Sequence, residues 1–362
     1  MSVVKKRLSK NMQFNTLEPV DNNYFSIEWE TTLKCNLDCS YCGDGHDNSL
    51  PHPSVTDSLD TLDFIFDYTN VQLSKKPEHL QHANLNIFGG ESFYHPQIVQ
   101  ILKYAQHKKT QVPWSMSIST ITNAVVKPKL WARIIDNVDY FTISFHAEST
   151  LAQQEQVRQN ILYLKTHDKP LHVSVMMHPK HWDTCIDMVN WCKENDIKYN
   201  ARQIDHDIFD TRFNYNKEQS IYLTGKAPNT LQKIGGLIAK GIDLSSSGRA
   251  CCGNLTMCTN NCASTNYVEG NKFKGWHCSV DKFFLYIRQN TGEVYTNKDC
   301  KMNWDGNVGP IGNLNNTKEI MSRLTSGTDT IVCKKSSCWC GLCAPKAKHK
   351  EDYDKIILKY VK

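Results

Sequence analysis

The segment YFSIEWETTLKCNLDCSYC, residues 24–42, places three cysteines directly after an apolar run. Its first part, residues 24–33, is predicted to form a buried strand that leads into the cysteines. Cys35, Cys39 and Cys42 are spaced C-x3-C-x2-C. Three thiolates on one loop bind three irons of a cubane cluster and leave the fourth iron without a protein ligand. An open coordination position is typical of a catalytic metal site rather than a structural one.

Structural zinc is the alternative occupant of this loop. Zinc in structural sites takes four ligands, usually from paired C-x2-C knuckles, whereas the loop supplies three thiols. His46 is a nearby candidate for the fourth ligand. The two alternatives differ in whether one coordination position stays open to a small molecule.

Strand and helix patterns alternate from this segment to about residue 205. The predicted strands cover residues 24–33, 84–88, 115–121, 140–145, 171–177 and 197–204. The predicted helices lie at residues 57–68 (behind a cap at Thr56 and Asp57), 98–105, 128–135, 157–164 and 181–193. Such alternation predicts parallel strands joined by right-handed crossover helices. Because six units are fewer than the eight of a closed barrel, we expect an α/β partial (β/α)6 TIM-like open barrel, with its chemistry at the carboxyl ends of the strands.

Composition limits the class of protein. The chain has 362 residues and a net charge of +5, and no run of like charges concentrates that excess, so nucleic acid is not an expected partner. Hydrophobic residues make up 40% and charged residues 22%, values that exclude wholesale disorder. The sequence contains neither an apolar run of about 18 residues nor the apolar core of a secretory signal. We therefore expect a cytoplasmic protein without membrane contact, whose thiols stay reduced.

The 15 cysteines are unevenly distributed, with ten of them between residues 251 and 343. Clustered cysteines in a reducing compartment indicate metal binding or chemistry. Cys185 and Cys192 differ from the rest, because they lie at helical spacing with apolar residues and are predicted to belong to the core.

The C-x3-C-x-aromatic-C pattern after the first strand resembles the signature of the radical S-adenosylmethionine enzymes, and the resemblance covers roughly residues 24–204. It implies a 4Fe–4S cluster whose open iron is chelated by the amino and carboxylate groups of S-adenosylmethionine. An electron from the cluster then cleaves the cofactor to a 5′-deoxyadenosyl radical that abstracts a substrate hydrogen, while the protein supplies binding and orientation. Tyr41 occupies the aromatic position, which in the family packs near the adenine. Core packing is the alternative role for this residue.

Two further strand ends resemble cofactor-binding positions of the family. Gly89-Gly90-Glu91 is similar to the GGE motif, in which a carboxylate contacts the methionine amino group. Glycines that serve only the geometry of a strand-end turn are the alternative. Asn123 is similar to the asparagine of the TN(G) turn, although Ala124 replaces its glycine. A plain turn residue is the alternative for Asn123.

Ser144 and His146 end the fourth predicted strand, where the family often places a serine against the ribose or the methionine carboxylate. Arg202, on the sixth predicted strand, is a candidate for neutralising that carboxylate, with a structural ion pair as the alternative. His178, at the end of the fifth strand, is a candidate substrate contact.

The C-terminal part resembles the SPASM or twitch extension behind many radical S-adenosylmethionine barrels. The shared features are Cys278 before a predicted hairpin at 283–295, a turn at Gly292, a Gly-Asn-Leu segment at 312–314 and a late C-x2-C. The resemblance implies one or more auxiliary 4Fe–4S clusters, with structural zinc as the alternative because both use thiolates. Asn297 stands where the extension usually has a cysteine. The implied ligands are Cys278, Cys340 and Cys343, with Cys300 or Cys338 as the fourth.

These patterns predict a small C-terminal cysteine-rich α+β auxiliary-cluster domain behind the barrel. The predicted division is an N-terminal extension (1–23), the barrel (24–205), a linker and helical segment (206–274), the auxiliary-cluster region (275–345) and a basic tail (346–362). The linker holds four cysteines without a counterpart in the extension: Cys251, Cys252, Cys258 and Cys262. The expected partners are a peptide or small-molecule substrate and an electron donor such as flavodoxin or ferredoxin. An iron–sulfur electron-transfer protein without catalysis and a zinc-stabilised binding module are the alternatives.

Overall fold

The computed structural model describes residues 16–17, 24–42, 46–204, 213–224, 273–327, 330–335 and 344–361. In chain order, the described strands are β1 (Thr16–Leu17), β2 (Phe25–Glu30), β3 (His82–Phe88), β4 (Ser115–Thr122), β5 (Tyr140–His146), β6 (Leu171–Met177), β7 (Tyr199–Gln203), β8 (His277–Cys278), β9 (Phe284–Arg288), β10 (Glu293–Tyr295), β11 (Gly312–Asn313), β12 (Ile331–Val332) and β13 (Lys346–Ala347). The described helices are α1 (Val55–Ser74), α2 (Ile98–Lys109), α3 (Pro128–Ile134), α4 (Leu151–Thr166), α5 (Trp182–Glu194), α6 (Lys217–Thr224), α7 (Thr317–Ser326) and α8 (Lys350–Ile357).

A nine-stranded sheet forms the centre of the fold, in the order β11-β10-β9-β2-β3-β4-β5-β6-β7. Strands β2 to β7 run parallel in chain order, with one α-helix between each strand and the next. This arrangement confirms the predicted α/β partial barrel. Within the described residues, β7 pairs with β6 alone and the far side of β2 pairs with β9, so the sheet stays open.

Alternation along the strands gives the sheet two different faces. In β2, Phe25, Ile27 and Trp29 are fully buried in one core with Leu62 and Ile65 of α1. The sheet therefore has an apolar outer face under the helices and a second, mostly polar face, which we call the inner face. The polar positions of the inner face include Ser26, Glu28, Glu30, Asn84, Asn86, Ser117, Ser119, Thr142, Ser144, His146, His172 and Ser174.

Local signals set the helix boundaries. The side chain of Ser54 caps α1 by accepting a hydrogen bond from the N–H of Asp57. The predicted cap at Thr56 and Asp57 is therefore wrong, because both residues already lie in the first turn. Pro128 begins α3 as predicted, since proline has no N–H to lose at a helix start.

The hairpin of the C-terminal part extends the barrel sheet. β9 pairs in parallel with β2, from Ser26 opposite Phe284 to Glu30 opposite Arg288, and β10 returns antiparallel to β9. Gly292 lies in the connecting turn with a φ of +70°, a conformation that glycine adopts without strain. The sequence predicts this hairpin but does not predict that β9 pairs with β2, because pairing between segments so far apart in sequence leaves no local pattern.

A smaller sheet, β1-β13-β8-β12, joins segments from both ends of the described chain. The sequence predicts a solvated basic tail at 346–362, but β13 pairs with β8, and Tyr353 and Ile356 of α8 are buried. Their i, i+3 spacing forms a short apolar stripe, which is hard to recognise in the sequence because the surrounding residues are mostly lysines and other charged residues. Across the described residues, no helix is both long and apolar enough to cross a bilayer.

Candidate cofactor-binding site

Hydrogen bonds fasten residues 31–42, which we call the cysteine loop, to the end of β3. The N–H of Gly90 donates to the carbonyl of Thr32 at 2.8 Å. The N–H of Glu91 donates to the carbonyl of Lys34, also at 2.8 Å. The turn after β3 therefore holds the first part of the cysteine loop against the edge of the sheet.

Gly89 and Gly90 are the residues that this close approach requires. A Cβ atom on Gly89 would lie 2.3 Å from the carbonyl oxygen of Thr32, and one on Gly90 would lie 2.4 Å from that of Lys34. Both neighbours are backbone atoms, which cannot move aside as the end of a flexible side chain does. The packing of the loop thus accounts for both glycines, whether or not a ligand also approaches them.

The carboxylate of Glu91 joins the ends of β3 and β4. It accepts hydrogen bonds from the N–H of Phe93 (3.0 Å), the hydroxyl of Thr122 (2.8 Å) and the N–H of Asn123 (2.7 Å). Glu91 is 1% exposed, and this burial raises its pKa to about 7 although the three hydrogen bonds oppose the rise. Glu91 therefore positions the turn at Asn123, a role that the sequence does not indicate.

Asn123 contacts the cysteine loop directly. Its Nδ2 donates to Oδ1 of Asn36 at 2.8 Å and lies 3.8 Å from Sγ of Cys35. Ala124, the next residue, has a φ of +55°, in the left-handed region that glycine enters more easily than alanine. This is the position where the predicted resemblance expects a glycine, and the alanine found there adopts a strained backbone conformation.

Cys35, Cys39 and Cys42 lie together on the cysteine loop, beyond the carboxyl end of β2. The N–H of Cys42 donates to the carbonyl of Cys39 at 3.1 Å, which closes a tight turn between them. Burial raises the pKa of Cys35 and of Cys39 to about 12 and also raises that of Cys42, so these thiols are neutral until a metal displaces their protons. Three thiols on one loop suit an iron–sulfur cluster. In the described part of the chain, no group of three His, Cys, Asp or Glu side chains is arranged to hold a single metal ion.

Tyr41 and His146 form a stacked pair beside Cys39. Their rings lie 5.8 Å apart at an angle of 11°, and the Tyr41 hydroxyl is 2.8 Å from Nδ1 of His146. The same nitrogen is 3.4 Å from Sγ of Cys39. Burial lowers the pKa of His146 to about 4, so its ring is neutral at pH 7. The structure therefore brings two of the predicted site residues into contact with each other and with the cysteine loop.

Glu148, a residue that the sequence does not single out, anchors the cysteine loop to the end of β5. Its carboxylate accepts hydrogen bonds from the N–H (2.8 Å) and the hydroxyl (2.7 Å) of Ser40, which follows Cys39. Nε2 of His178 lies 3.5 Å from Oε1 of Glu148, so the predicted substrate contact faces this carboxylate. The only sequence signal was an acidic residue just beyond a strand end, and 108 positions separate it from its partner.

Ser144 and Arg202 lie on the inner face near the same ends of the strands. Arg202 is in register with Met176, which is in register with His146, so Arg202 and His146 share one row across the sheet. Ser144 is in register with Ser174, one row further from the strand ends. The side chain of Arg202 is exposed at the edge strand β7.

His46, the alternative zinc ligand, lies beside Asp38, with Nε2 3.3 Å from Oδ1 of that carboxylate. Both residues and Cys35 line an open cleft of about 580 Å³. Nδ1 of His46 is buried and has no hydrogen-bond partner among the described residues. His46 therefore stays a candidate fourth ligand for the zinc alternative.

Three buried cysteines of the C-terminal part line one small cavity, which we call the cysteine cavity: Cys278, Cys300 and Cys333. β8 holds Cys278 in register with Ile331 on one side and with Lys346 on the other. Lys346 is 1% exposed and lines the same cavity. Cys333 was absent from the predicted ligand set. The predicted ligands Cys338, Cys340 and Cys343 lie outside the described residues, as do Cys251, Cys252, Cys258 and Cys262.

Asn297, at the position where the predicted resemblance expects a cysteine, has a local structural role. Its Oδ1 accepts hydrogen bonds from the N–H of Asp299 (2.9 Å) and the N–H of Cys300 (3.0 Å). The asparagine therefore builds the turn after the hairpin. Cys300, whose N–H this turn holds, is the cysteine of this segment that lines the cavity.

No family model and no curated protein matches the chain in sequence. Matching solved structures include the crystal structure of Streptococcus suis SuiB bound to S-adenosylmethionine, with a TM-score of 0.46 and 14% identity over 75% of this chain. The chain spans 60% of the length of SuiB. Native anSMEcpe with bound AdoMet matches with a TM-score of 0.47 and 12% identity, over 83% of this chain and 82% of that one. Native anSMEcpe with bound AdoMet and Cp18Cys peptide matches with a TM-score of 0.46 and 12% identity, over 84% and 81% of the two chains.

Proposed function

We propose that this chain is a radical S-adenosylmethionine enzyme whose 4Fe–4S cluster is held by Cys35, Cys39 and Cys42. The cysteine loop is the observation that carries the proposal, because it presents three thiols within eight residues at the carboxyl end of the first barrel strand. Barrels of parallel strands have their chemistry at that end. When bound, the cluster and S-adenosylmethionine would supply a 5′-deoxyadenosyl radical that removes a hydrogen atom from the substrate.

The residues around the cysteine loop hold it in place and orient its cysteines. Asn123 holds Asn36, next to the first cysteine, and Glu148 holds Ser40, next to the second. The neutral ring of His146 covers the second cysteine without adding a charge. A loop held in this way presents its ligands with little reorganisation.

We assign S-adenosylmethionine to the strand ends beside the cysteine loop. Arg202 offers a cation for the methionine carboxylate, and the row that it shares with His146 supports this assignment. Within the site, Glu91 acts through the turn at Asn123, since three donors already surround its carboxylate. The proposed cofactor-binding residues are Tyr41, Gly89, Gly90, Asn123, Ser144, His146 and Arg202, and Glu91 is the residue that positions Asn123 among them.

An auxiliary iron–sulfur cluster at the cysteine cavity is the second part of the proposal. Three buried thiols that line one cavity support it. Because a cubane cluster takes four ligands, we assign the fourth to one of the cysteines that follow Cys333 in sequence: Cys338, Cys340 or Cys343. Zinc would use the same thiols, so metal analysis separates the two alternatives.

The proposed substrate is a peptide or a small molecule, and the proposed electron donor is a flavodoxin or a ferredoxin. The polar inner face supports a substrate that forms hydrogen bonds rather than a hydrocarbon. A one-electron donor is needed because each cleavage of the cofactor consumes one electron.

Anaerobic reconstitution with iron and sulfide tests the proposal. The expected result is a brown protein that forms 5′-deoxyadenosine from S-adenosylmethionine under dithionite. Cys39→Ala should lose this activity and the iron of the cysteine loop. The matched control is Cys192→Ala, which changes a fully buried core residue of α5 and should keep both.

Three outcomes oppose the proposal in different ways. Unchanged 5′-deoxyadenosine formation by Cys39→Ala refutes the ligand assignment. A brown protein that leaves S-adenosylmethionine intact favours an electron-transfer protein. A colourless protein that binds only zinc favours a binding module.

A further inference from the structure

A row of polar side chains crosses the inner face. Glu28 of β2, Asn86 of β3 and Ser119 of β4 are in register with one another. Residues in register on parallel strands share a face, so these three side chains lie side by side. Thr142 of β5 belongs to the same face, in register with Ile121 of β4. The proposed cofactor site uses none of these residues.

Two of these side chains have a buried polar atom without a hydrogen-bond partner. Oδ1 of Asn86 accepts a hydrogen bond from Oγ of Ser119 at 3.3 Å, but Nδ2 of Asn86 is unpaired. Oγ1 of Thr142 is unpaired as well. Asn86 is 1% exposed and Thr142 is 6% exposed. Because folded proteins pair nearly all their buried polar atoms, such atoms indicate a partner outside the protein itself, either a ligand or an ordered water.

Glu28 contrasts with Glu30, its neighbour along the inner face of β2. Glu30 accepts hydrogen bonds from the hydroxyl of Tyr286 at 3.0 Å and from Nε of Arg288 at 2.9 Å. The carboxyl of Glu28 accepts none from the described residues, and burial raises its pKa although the charge of Lys298 opposes the rise. The unused acceptor of Glu28 therefore stands in register with the unused donor of Asn86.

We propose that Asn86, Glu28 and Thr142 bind a carboxamide or peptide amide of the substrate. An amide presents a carbonyl oxygen beside an N–H group. The oxygen accepts a hydrogen bond from Nδ2 of Asn86, and the N–H donates to a carboxyl oxygen of Glu28. The hydroxyl of Thr142 pairs with a further polar atom of the substrate, beyond the amide. An alkyl, thioether or ketone group leaves at least one of these protein atoms unpaired.

This inference rests on the proposed function, because it treats the inner face as the side on which the substrate binds. It narrows the substrate to a molecule that carries an amide, as every peptide does. The binding itself needs no radical chemistry, so it is measurable without turnover.

Butyramide and 2-pentanone form a matched pair of probes, which differ only in the exchange of an amide NH2 for a methyl group. Saturation-transfer NMR titrations of the full reconstituted chain measure the affinity of each probe. Wild type should bind butyramide about tenfold more tightly than 2-pentanone. Glu28→Met removes the acceptor that only the amide N–H uses and should bind both probes equally. Asn86→Leu removes the donor that the carbonyl oxygens of both probes use, so it should weaken both probes and keep their affinity ratio. The exposed Asn315→Leu is the control and should keep the preference.

A variant at Thr142 covers the case in which the first two variants do not fold. Thr142→Val deletes the unpaired hydroxyl at nearly constant volume, so we expect an unchanged or higher melting temperature. N-acetylglycinamide, which carries a second amide for this hydroxyl, should bind Thr142→Val severalfold more weakly than wild type, while butyramide should bind both equally. A lower melting temperature with an unchanged affinity for N-acetylglycinamide would assign Thr142 a structural role and count against the inference.

Equal affinity of wild type for the two probes, a preference that survives in Glu28→Met, or unweakened binding of both probes by Asn86→Leu overturns the inference and assigns an ordered water to Asn86. Formation of 5′-deoxyadenosine is measured on the same samples. A preference for butyramide without cofactor cleavage refutes the proposed function alone. Cofactor cleavage without the preference refutes the inference alone.

Discussion

The cysteine loop and the cysteine cavity are built in opposite ways. The loop holds its three thiols within eight residues, so chain connectivity alone keeps them together. The thiols of the cavity come from positions more than 20 residues apart. They meet through the pairing of β8 with β12 and through the turn that Asn297 builds.

This difference shows how far each site depends on the rest of the fold. The cysteine loop needs support from neighbouring strand ends to hold one conformation, but its ligand set is already defined by spacing. The cysteine cavity has no ligand set until the smaller sheet has formed. Metal binding at the cavity is therefore expected to be coupled to folding, as in small metal-dependent domains.

Cys333→Ala should have the largest effect on iron content, and it tests the difference between the cysteine cavity and the cysteine loop most directly. We expect the iron content to fall by about four per chain, the content of one cubane. The cysteine loop should keep its own iron, because its ligands are local. Iron and sulfide analysis measures both quantities, with Cys185→Ala in the core of α5 as the control. Unaltered iron in Cys333→Ala would contradict the assignment of the cavity.

Glu148→Ala should weaken the cysteine loop and leave the cavity unchanged. The variant loses two hydrogen bonds from Ser40 to a charged acceptor, so stability should fall by about 1.5–3 kcal/mol. Urea unfolding measures the loss, and a chelator challenge measures iron release from the loop. Glu155→Ala is the matched control, since Glu155 is exposed, lies 4.0 Å from Arg158 and accepts a hydrogen bond only from Gln159 on the same helix. Equal iron release from the two variants would rule out an anchoring role.

Gly90→Ala tests the close approach between the cysteine loop and the turn after β3. The added Cβ would meet the carbonyl oxygen of Lys34 at 2.4 Å, so we expect a loss of about 1–3 kcal/mol from overpacking. Gly275→Ala is the comparison, because Gly275 has open space and only its φ of +84° opposes a side chain. Thermal unfolding of both variants separates the clash from backbone strain. A Gly90→Ala protein as stable as wild type would contradict the packing.

Lys76→Met tests the junction between the barrel and the C-terminal part. Of the four variants, it should change the free energy of unfolding least near neutral pH. Nζ of Lys76 lies 4.1 Å from the ring centroid of Phe283 and 5.7 Å from that of Phe25. Burial, with a further contribution from Lys282, lowers its pKa from 10.5 to about 7.

Between about pH 7 and pH 10.5, the amine of Lys76 is protonated in the unfolded chain but neutral in the folded chain. Wild-type stability should therefore gain a rising contribution from Lys76 as the pH increases from about 7 to 10.5. Lys76→Met should lack this contribution. Urea unfolding at several pH values measures it, and identical pH profiles of the two proteins would contradict the buried amine.

The sequence predicted the alternating strands and helices well, because burial of one strand face against helices leaves a periodic pattern in every segment. It did not predict that β9 lies beside β2, since hydrogen bonds between strand backbones do not depend on which residues carry them. The same limit explains why the sequence did not indicate the role of Glu148. Its carboxylate contacts Ser40 only because β5 ends beside the cysteine loop, and neither residue has a local reason to be where it is.

Spacing and periodicity along the chain thus sufficed for the barrel, for the cysteine loop and for the glycine turn that packs on it. These features depend on neighbours a few residues apart, and so the chain records them locally. Tertiary structure alone brought Cys333 to Cys278 and Cys300, and aligned Glu28 with Asn86 on the inner face. Contacts of this kind arise only when distant segments pack together, because their free energy comes from burial and strand pairing that no single segment contains.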